Sequence, residues 1–187
     1  MDQRERILEA ASVVIGDKGF HAASMRDLAE AAGVALGTLY LYFDSKQALL
    51  TALVEDLAQK VAEQLREAAS GRSAVEALGQ FIARWLKFFR SQRPQVRAVL
   101  AEALFDEELA RSVRRAIMQP GRRVLAQLLK ACGSGDSAGA AALAWELIVF
   151  EGVMTPELSQ RRSAADLTRA VLALAGCRNR RGGRRRQ

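Results

Sequence analysis

Histidine and cysteine, the side chains that most often carry metal-dependent or acid–base chemistry, are scarce in this 187-residue sequence. His21 is the one histidine, and Cys132 and Cys177 stand far apart, without the CxxC spacing of a zinc or redox site. A transition-metal site would have to be built from carboxylates, and a catalytic nucleophile would lack a histidine base. The composition therefore argues against an enzyme, and we expect no metal and no cofactor.

Long apolar runs are missing as well. No stretch approaches the roughly 18 uninterrupted apolar residues of a membrane span. Residues 2–6, four of which are charged, also lack the apolar core of a secretory signal. We therefore expect a cytoplasmic protein without a membrane partner. Half of the residues are hydrophobic nonetheless, which is enough to bury a sizeable core.

The net charge of +7 invites a nucleic-acid interpretation, but its distribution gives no location for one. Residues 178–187 contain six arginines and no acidic residue, and without them basic residues exceed acidic ones by one. The first fifty residues hold five lysines and arginines against seven aspartates and glutamates. The tail, which we expect to be disordered, either adds salt-sensitive DNA affinity or simply solubilises the protein. A motif, not bulk charge, has to identify the site.

Apolar residues recur at helical spacing through most of the chain, and no segment alternates long enough for a strand. The pattern predicts an all-α protein. A first helix should end at Gly19, and Ser24 should begin a short second helix with Asp27 in a capping box. A long helix follows from about residue 45, and further helices are predicted at 73–90, 94–105, 107–131, 137–154 and 163–176. We expect Pro120-Gly121 to kink the helix at 107–131.

Two short helices joined by residues 32–35 predict a helix-turn-helix. Gly33 permits the left-handed turn between them, and Leu28, Leu39 and Phe43 can pack the pair on the preceding helix. The second helix is then able to enter the major groove of DNA. Many short helix pairs share this pattern, so the spacing of the surrounding residues has to show whether this pair is a DNA-binding motif.

The surrounding residues are far more specific than the pair itself. In chain order they are Ile7-Leu8-Glu9-Ala10-Ala11, Gly19-Phe20, Ser24-Met25-Arg26-Asp27-Leu28-Ala29, Ala32-Gly33-Val34, Gly37-Thr38-Leu39-Tyr40, Tyr42-Phe43 and Ser45-Lys46. This series resembles the N-terminal domain of the tetracycline-repressor (TetR) family over residues 4–50. The resemblance implies a three-helix helix-turn-helix DNA-binding domain at 1–50, a helical effector-binding and dimerisation domain at 51–177, and a basic tail at 178–187.

The resemblance also implies which side chains meet the DNA phosphates. Ser24, at a helix N-terminus, and Lys46, in the first turn of the long helix, occupy the family's phosphate-contacting positions, and Arg26 is a further candidate. For Ser24 the alternative is a pure capping role. For Arg26 the alternative is a solvated side chain.

The recognition helix carries the other candidate DNA contacts. The resemblance implies that Gly37 allows a close approach to the DNA backbone and that Thr38 reaches a phosphate, a base edge or a thymine methyl. Tyr40 and Tyr42 resemble the family's aromatic pair, whose hydroxyls reach phosphates.

The chain departs from the family pattern at the start and in the middle of the recognition helix. Ala35 and Leu36 stand where many members have serine and a polar residue, and Leu41 replaces a commonly polar one. We therefore expect Leu36 and Leu41 to read DNA through apolar contact with thymine methyls, supported by DNA shape.

The resemblance implies an effector pocket in the second domain, where aromatic residues recur at helical spacing. Our candidates for its lining are Trp85, Phe89, Leu100, Phe105 and Met118, and core packing is the alternative for each. Their chemistry indicates a mostly apolar or aromatic small molecule. Glu102 and Glu146 are an alternative cation site, although exposed or ion-paired glutamates explain them equally well.

The last two predicted helices have the composition of a dimer interface. Residues 137–145 are rich in alanine and glycine, which permit close helix approach, and Leu167, Val171 and Leu174 supply apolar area on the second helix. In the family such helices form a four-helix bundle across a two-fold axis, which pairs the recognition helices on a pseudo-palindromic site. The resemblance thus implies a homodimeric, effector-released transcriptional repressor that binds double-stranded DNA. An effector-independent or architectural DNA-binding protein is the alternative.

Overall fold

Helices alone form the regular structure in the computed structural model, which describes residues 2–66, 73–153 and 163–177. In chain order they are α1 (Gln3–Lys18), α2 (Met25–Ala32), α3 (Leu36–Tyr42), α4 (Lys46–Arg66), α5 (Ala74–Ser91), α6 (Arg93–Ala103), α7 (Glu107–Val113), a π-helical turn (Arg114–Met118), α8 (Gln119–Ala131), α9 (Ser137–Val153) and α10 (Ala164–Leu174). The prediction of an all-α fold is confirmed. None of the helices in these ranges is both long and apolar enough to cross a membrane. The arginine-rich tail lies outside the described residues.

The chain divides into two compact units that alternate along the sequence, and the first comprises residues 1–67 and 88–120. In it α1 packs against both α2 and α6, and α4 packs against α6. Its core is formed by apolar side chains that include Ile7, Leu8, Ala11, Ile15, Leu28, Leu39, Phe43, Leu49, Leu50, Leu53, Leu57, Val96 and Val99. The predicted helix-turn-helix therefore lies in one unit with α4 and α6, and the expected boundary at residue 50 falls inside that unit.

The described residues of the second unit are 73–87, 121–153 and 163–177, and they are built around an aromatic cluster. The Trp85 and Trp145 rings meet edge to face at 4.7 Å between centroids, and Phe81 lies 5.9 Å from the first and 6.1 Å from the second. Gly121 of α8 contacts the cluster so closely that a Cβ there would lie 2.2 Å from two ring carbons of Trp145. Only glycine fits at this point of α8.

The segment between α6 and α8 differs in two ways from the sequence prediction. The helix predicted at 94–105 ends at Ala103, so Phe105 lies in the turn that follows. The helix predicted at 107–131 is interrupted at the π-helical turn 114–118, just before Pro120, and not at Pro120-Gly121 itself. Because proline has no N–H to donate to the preceding turn, a wider turn upstream of it accommodates the missing bond.

Cys132 and Cys177 are both reduced thiols in the second unit. Burial raises the pKa of each thiol, and the charge of Cys177 adds to the rise at Cys132. A raised pKa keeps a thiol protonated and poorly nucleophilic near neutral pH.

Candidate DNA interface

The first helix of the predicted pair, α2, begins at a capping box. Ser24 Oγ accepts a hydrogen bond from the Asp27 N–H at 3.1 Å, while Asp27 Oδ2 accepts from the Ser24 N–H at 2.8 Å and from its hydroxyl at 2.6 Å. These bonds, together with the Lys18 ammonium 3.1 Å from Oδ1, hold the pKa of the Asp27 carboxyl well below its usual range. The predicted capping box is confirmed. It also engages the Ser24 hydroxyl as both donor and acceptor within the protein.

A tight turn at residues 33–35 connects α2 to α3. Gly33 has φ +66° and ψ +36°, a left-handed conformation that a side chain would strain. Its N–H donates to the Glu30 carbonyl, and the Val34 N–H donates to the Ala29 carbonyl, both at 3.0 Å, so two carbonyls in the last turn of α2 are satisfied. The predicted glycine turn is confirmed, and α3 begins at Leu36 after the N-cap residue Ala35, which makes no side-chain capping bond.

The helix α3 has one buried side and one exposed side. Leu39 is fully buried and Phe43, at the C-terminal end, is nearly so, which anchors the helix in the core of the first unit. Tyr40, Leu41 and Tyr42 are 48%, 85% and 43% exposed. Three large, partly or wholly apolar side chains exposed in succession on one short helix indicate a surface that a partner covers.

The first turn of α3 is open to a close approach. Gly37 is exposed, and a Cβ added there would meet no atom within 4 Å. Leu36 and Thr38 are half-buried beside it. A DNA backbone can therefore come nearer to this turn than it could to a turn with a side chain at residue 37.

Lys46 is placed differently from the expectation for a phosphate contact. Its ammonium donates to the carbonyls of Phe20 at 2.7 Å, Ala23 at 2.9 Å and His21 at 3.3 Å. It also lies 4.5 Å from the centroid of the Phe20 ring, within cation–π range. The lysine thus binds the turn between α1 and α2 of its own subunit.

Two arginines of the first unit lie exposed near the helix pair. Arg26, a predicted candidate, is exposed on α2. Arg4, which sequence reasoning missed, is exposed in the first turn of α1, with its guanidinium carbon 5.6 Å from the ring centroid of Phe43 at the end of α3. Arg4 precedes the helix-turn-helix by twenty residues, and its positive charge was the only feature in the sequence that could have marked it as a candidate DNA contact.

The five candidates for the effector pocket have different surroundings. Trp85 and Phe89 are fully buried, and Trp85 belongs to the aromatic cluster of the second unit. Leu100 and Met118 are half-buried in the first unit. Phe105 is 82% exposed, because α6 ends before it, and so it faces solvent instead of an enclosed pocket.

A polar cleft of about 390 Å³ opens in the first unit, with α1, α4 and the start of α6 contributing its walls. The buried Gln95 amide donates to the Leu53 carbonyl and to Asp56 Oδ2, both at 2.8 Å. The Lys60 ammonium lies 2.7 Å from Asp56 Oδ2 and donates to Gln92 and Gln95 at 3.0 and 3.2 Å. These bonds join α4 to α6, and none of the predicted effector residues lines the cleft.

The two glutamates considered as cation ligands each have a basic partner. The buried Glu102 carboxylate lies 3.2 Å from His21 Nε2, and Glu146 forms an ion pair with Arg122. The ion-paired alternative therefore describes Glu146, and Glu102 has the His21 imidazole as a neighbour.

Comparison with known proteins agrees with this geometry. A sequence profile described as bacterial regulatory proteins, tetR family, matches residues 7–53. The transcriptional regulator BetI of Rhizobium meliloti (strain 1021) is 30% identical over 177 residues, 87% of this chain and 84% of BetI. The regulator UidR of Escherichia coli (strain K12) is 30% identical over 115 residues, and the aligned part spans 62% of this chain and 59% of UidR. The structure of GusR from Salmonella enterica has a TM-score of 0.73 at 24% identity, over 94% of this chain and 96% of GusR, which shows a shared fold.

Helix α3 lies exposed on a supported helix pair. Together with the matching profile and the near full-length relative BetI, it defines the class as a DNA-binding regulator of transcription. The chain belongs to the tetracycline-repressor family. The family resemblance expected from the sequence is confirmed, and so is the expectation that the protein is not an enzyme, since the relatives are named as transcriptional regulators.

Proposed function

We propose that the protein is a repressor that binds a pseudo-palindromic operator as a homodimer and releases it when a small-molecule effector binds. The observation that carries the proposal is the exposure of Tyr40, Leu41 and Tyr42 on α3, a helix that the buried Leu39 anchors in the core. A helix held in this way can enter the major groove without unfolding its support.

The proposed DNA contacts divide by chemistry. The Tyr40 and Tyr42 hydroxyls and the guanidinium groups of Arg4 and Arg26 bind phosphate, which positions the protein. Leu41 contacts base edges, with Thr38, Leu36 and Gly37 beside it on the same helix. Leucine offers no hydrogen bond, so the favoured contact is a thymine methyl.

Selection from a random duplex pool tests the DNA-binding part. The wild-type protein should enrich two related half-sites whose centres lie about one helical turn, or a multiple of it, apart. Leu41→Ala should weaken the preference for one base position by about tenfold or more. Val75→Ala, a change at another exposed apolar residue, is the matched control and should select the same sites. An unenriched pool would reject the proposed operator.

The dimer is proposed to form through α9 and α10. Leu143 and Phe150, seven residues apart and therefore on one side of α9, are exposed, and Leu174 is exposed at the end of α10. Apolar side chains in this arrangement fit an isologous helix bundle between two copies. Glutamate at Phe150 would place two charges near the two-fold axis, so Phe150→Glu should sediment as a monomer and Val75→Glu as the wild type. Equal sedimentation of both variants would move the interface elsewhere.

The effector is proposed to be a small apolar or aromatic molecule bound in the first unit near Phe89, Leu100 and Met118, which are buried or half-buried. It must bind the DNA-free conformation more tightly than the DNA-bound one, otherwise it shifts no equilibrium. The effector is proposed to move α4, and with it the spacing of the paired recognition helices. The bonds of Gln95 and Lys60 between α4 and α6 are the connections that this movement has to carry or break.

A thermal-shift screen of small apolar molecules tests this part. A binder present at about 100 times its Kd should stabilise the protein by about 2.7 kcal/mol and should lower the anisotropy of a bound fluorescent duplex. A compound that stabilised the protein but did not release the duplex would be a ligand without a regulatory effect on DNA binding. If no compound stabilised the protein, the effector-independent alternative would be favoured.

A further inference from the structure

In the first unit, the ammonium group of Lys46 is surrounded by acceptors of its own subunit. A lysine ammonium has three N–H donors, and three carbonyl oxygens lie within 3.3 Å of this one. The Phe20 ring covers it at 4.5 Å. Contact with a phosphate would therefore require Lys46 to break bonds that it already makes inside the subunit.

The three carbonyls belong to the turn that starts the helix-turn-helix. Phe20 and Ala23 are buried in this turn, and the next residue, Ser24, caps α2. Lys46 itself begins α4, four residues after the end of α3 at Tyr42. The Lys46 side chain thus connects the start of the helix-turn-helix to α4, which follows its end.

The same turn is held from a second helix. The His21 imidazole, which leaves the turn towards solvent, lies 3.2 Å from the buried Glu102 carboxylate of α6. The turn at 20–23 is therefore attached to α4 through its carbonyls and to α6 through a side chain. Both attachments lie within the first unit.

We propose that Lys46 is a positioning residue: it sets the angle of α2 and α3 by fixing the turn at 20–23 and does not deliver its charge to a phosphate. This inference rests on the DNA-binding function proposed above. A compact ammonium can point three donors at three carbonyls around it, whereas the planar guanidinium of arginine cannot. Arginine is, however, an excellent phosphate ligand. A phosphate-binding role therefore predicts that Lys46→Arg keeps its affinity for DNA, whereas a positioning role predicts that it loses affinity.

The test measures the Kd of the duplex enriched by the wild-type protein, by fluorescence anisotropy between about 50 and about 200 mM KCl. Lys46→Met and Lys46→Arg should both bind about tenfold more weakly at every salt concentration, the equivalent of one charge-assisted hydrogen bond. The slope of log Kd against log salt concentration should stay at the wild-type value. Arg26→Met, which removes a proposed phosphate contact, is the control and should reduce the slope by about 0.9 per contact, or about 1.8 per dimer.

Three results would overturn the positioning role. They are wild-type affinity for Lys46→Arg, a reduced salt slope for Lys46→Met, and a lower melting temperature for Lys46→Met with unchanged affinity of the folded protein. Hydrogen exchange supplies the local readout, since the amides of residues 20–24 should exchange faster in both variants.

The wild-type protein gives a readout that does not depend on the folding of a variant. The ammonium NMR signal of Lys46 should be protected from exchange with water and should keep its chemical shift when the duplex is added. A shift comparable to that of other DNA-contacting groups would reject the inference. If the wild type bound no duplex, the proposed function would fail, while ammonium protection and hydrogen exchange would still decide whether Lys46 holds the turn.

Discussion

Replacing Gly37 by alanine should stabilise the protein and weaken its binding to DNA. Gly37 lies in α3, and a Cβ built there meets no atom within 4 Å, so the subunit has room for the methyl group. Glycine in a helix interior is about 1 kcal/mol less favourable than alanine, and because Gly37 lies in the first turn the gain should be smaller than this, with a rise in melting temperature below about 2–4 °C. The same methyl group occupies the space through which the DNA backbone is proposed to approach.

The expected loss of affinity is about tenfold or more, because moving the helix outward lengthens at least one charge-assisted hydrogen bond to phosphate. Calorimetry of the protein alone and anisotropy with the enriched duplex measure the two effects separately. The reasoning would be refuted by Gly37→Ala binding DNA as tightly as the wild type, since the turn would then not face the duplex. A lower melting temperature would show that the site is not open.

Two further variants test the fold by related reasoning. Gly121→Ala should destabilise the protein even though alanine favours a helix, because its Cβ would lie 2.2 Å from the buried Trp145 ring and overpacking costs about 1–3 kcal/mol; a raised melting temperature would contradict this packing. Asp27 has a folded-state pKa below its unfolded value, so its carboxylate stabilises the protein fully above pH of about 4, and this contribution is lost as pH falls towards the folded pKa. Asp27→Asn should therefore melt below the wild type at pH of about 7, with a difference that shrinks in acid; a difference that grew in acid would reverse the sign of the argument.

Local features of the helix-turn-helix could be predicted from the sequence because short-range chemistry determines them. Ser24 and Asp27 are three residues apart and form the expected capping box, and Gly33 adopts the left-handed conformation that its turn requires. Leu39 and Phe43 are buried as the helical spacing predicted. Each of these depends on neighbours within one or two helical turns.

The contacts and positions that were not predictable depend on residues distant in sequence. The carbonyl partners of Lys46 lie 23 to 26 positions away, so its type and place in the motif indicated a phosphate ligand, whereas the fold supplies internal acceptors. Phe105 continues an apolar pattern but lies past the end of α6, where periodicity no longer determines the direction of a side chain. The grouping of residues 88–120 with the N-terminal helices likewise follows from tertiary packing.

The most direct test of the central claim is the ratio of two dissociation constants. The wild-type protein is titrated with its enriched two-fold-symmetric duplex and with a scrambled duplex of the same length and composition, at the same salt concentration. We predict a preference of about a thousandfold or more for the symmetric duplex, with affinity that falls as salt rises. Equal affinity for the two duplexes would contradict a sequence-reading role for α3.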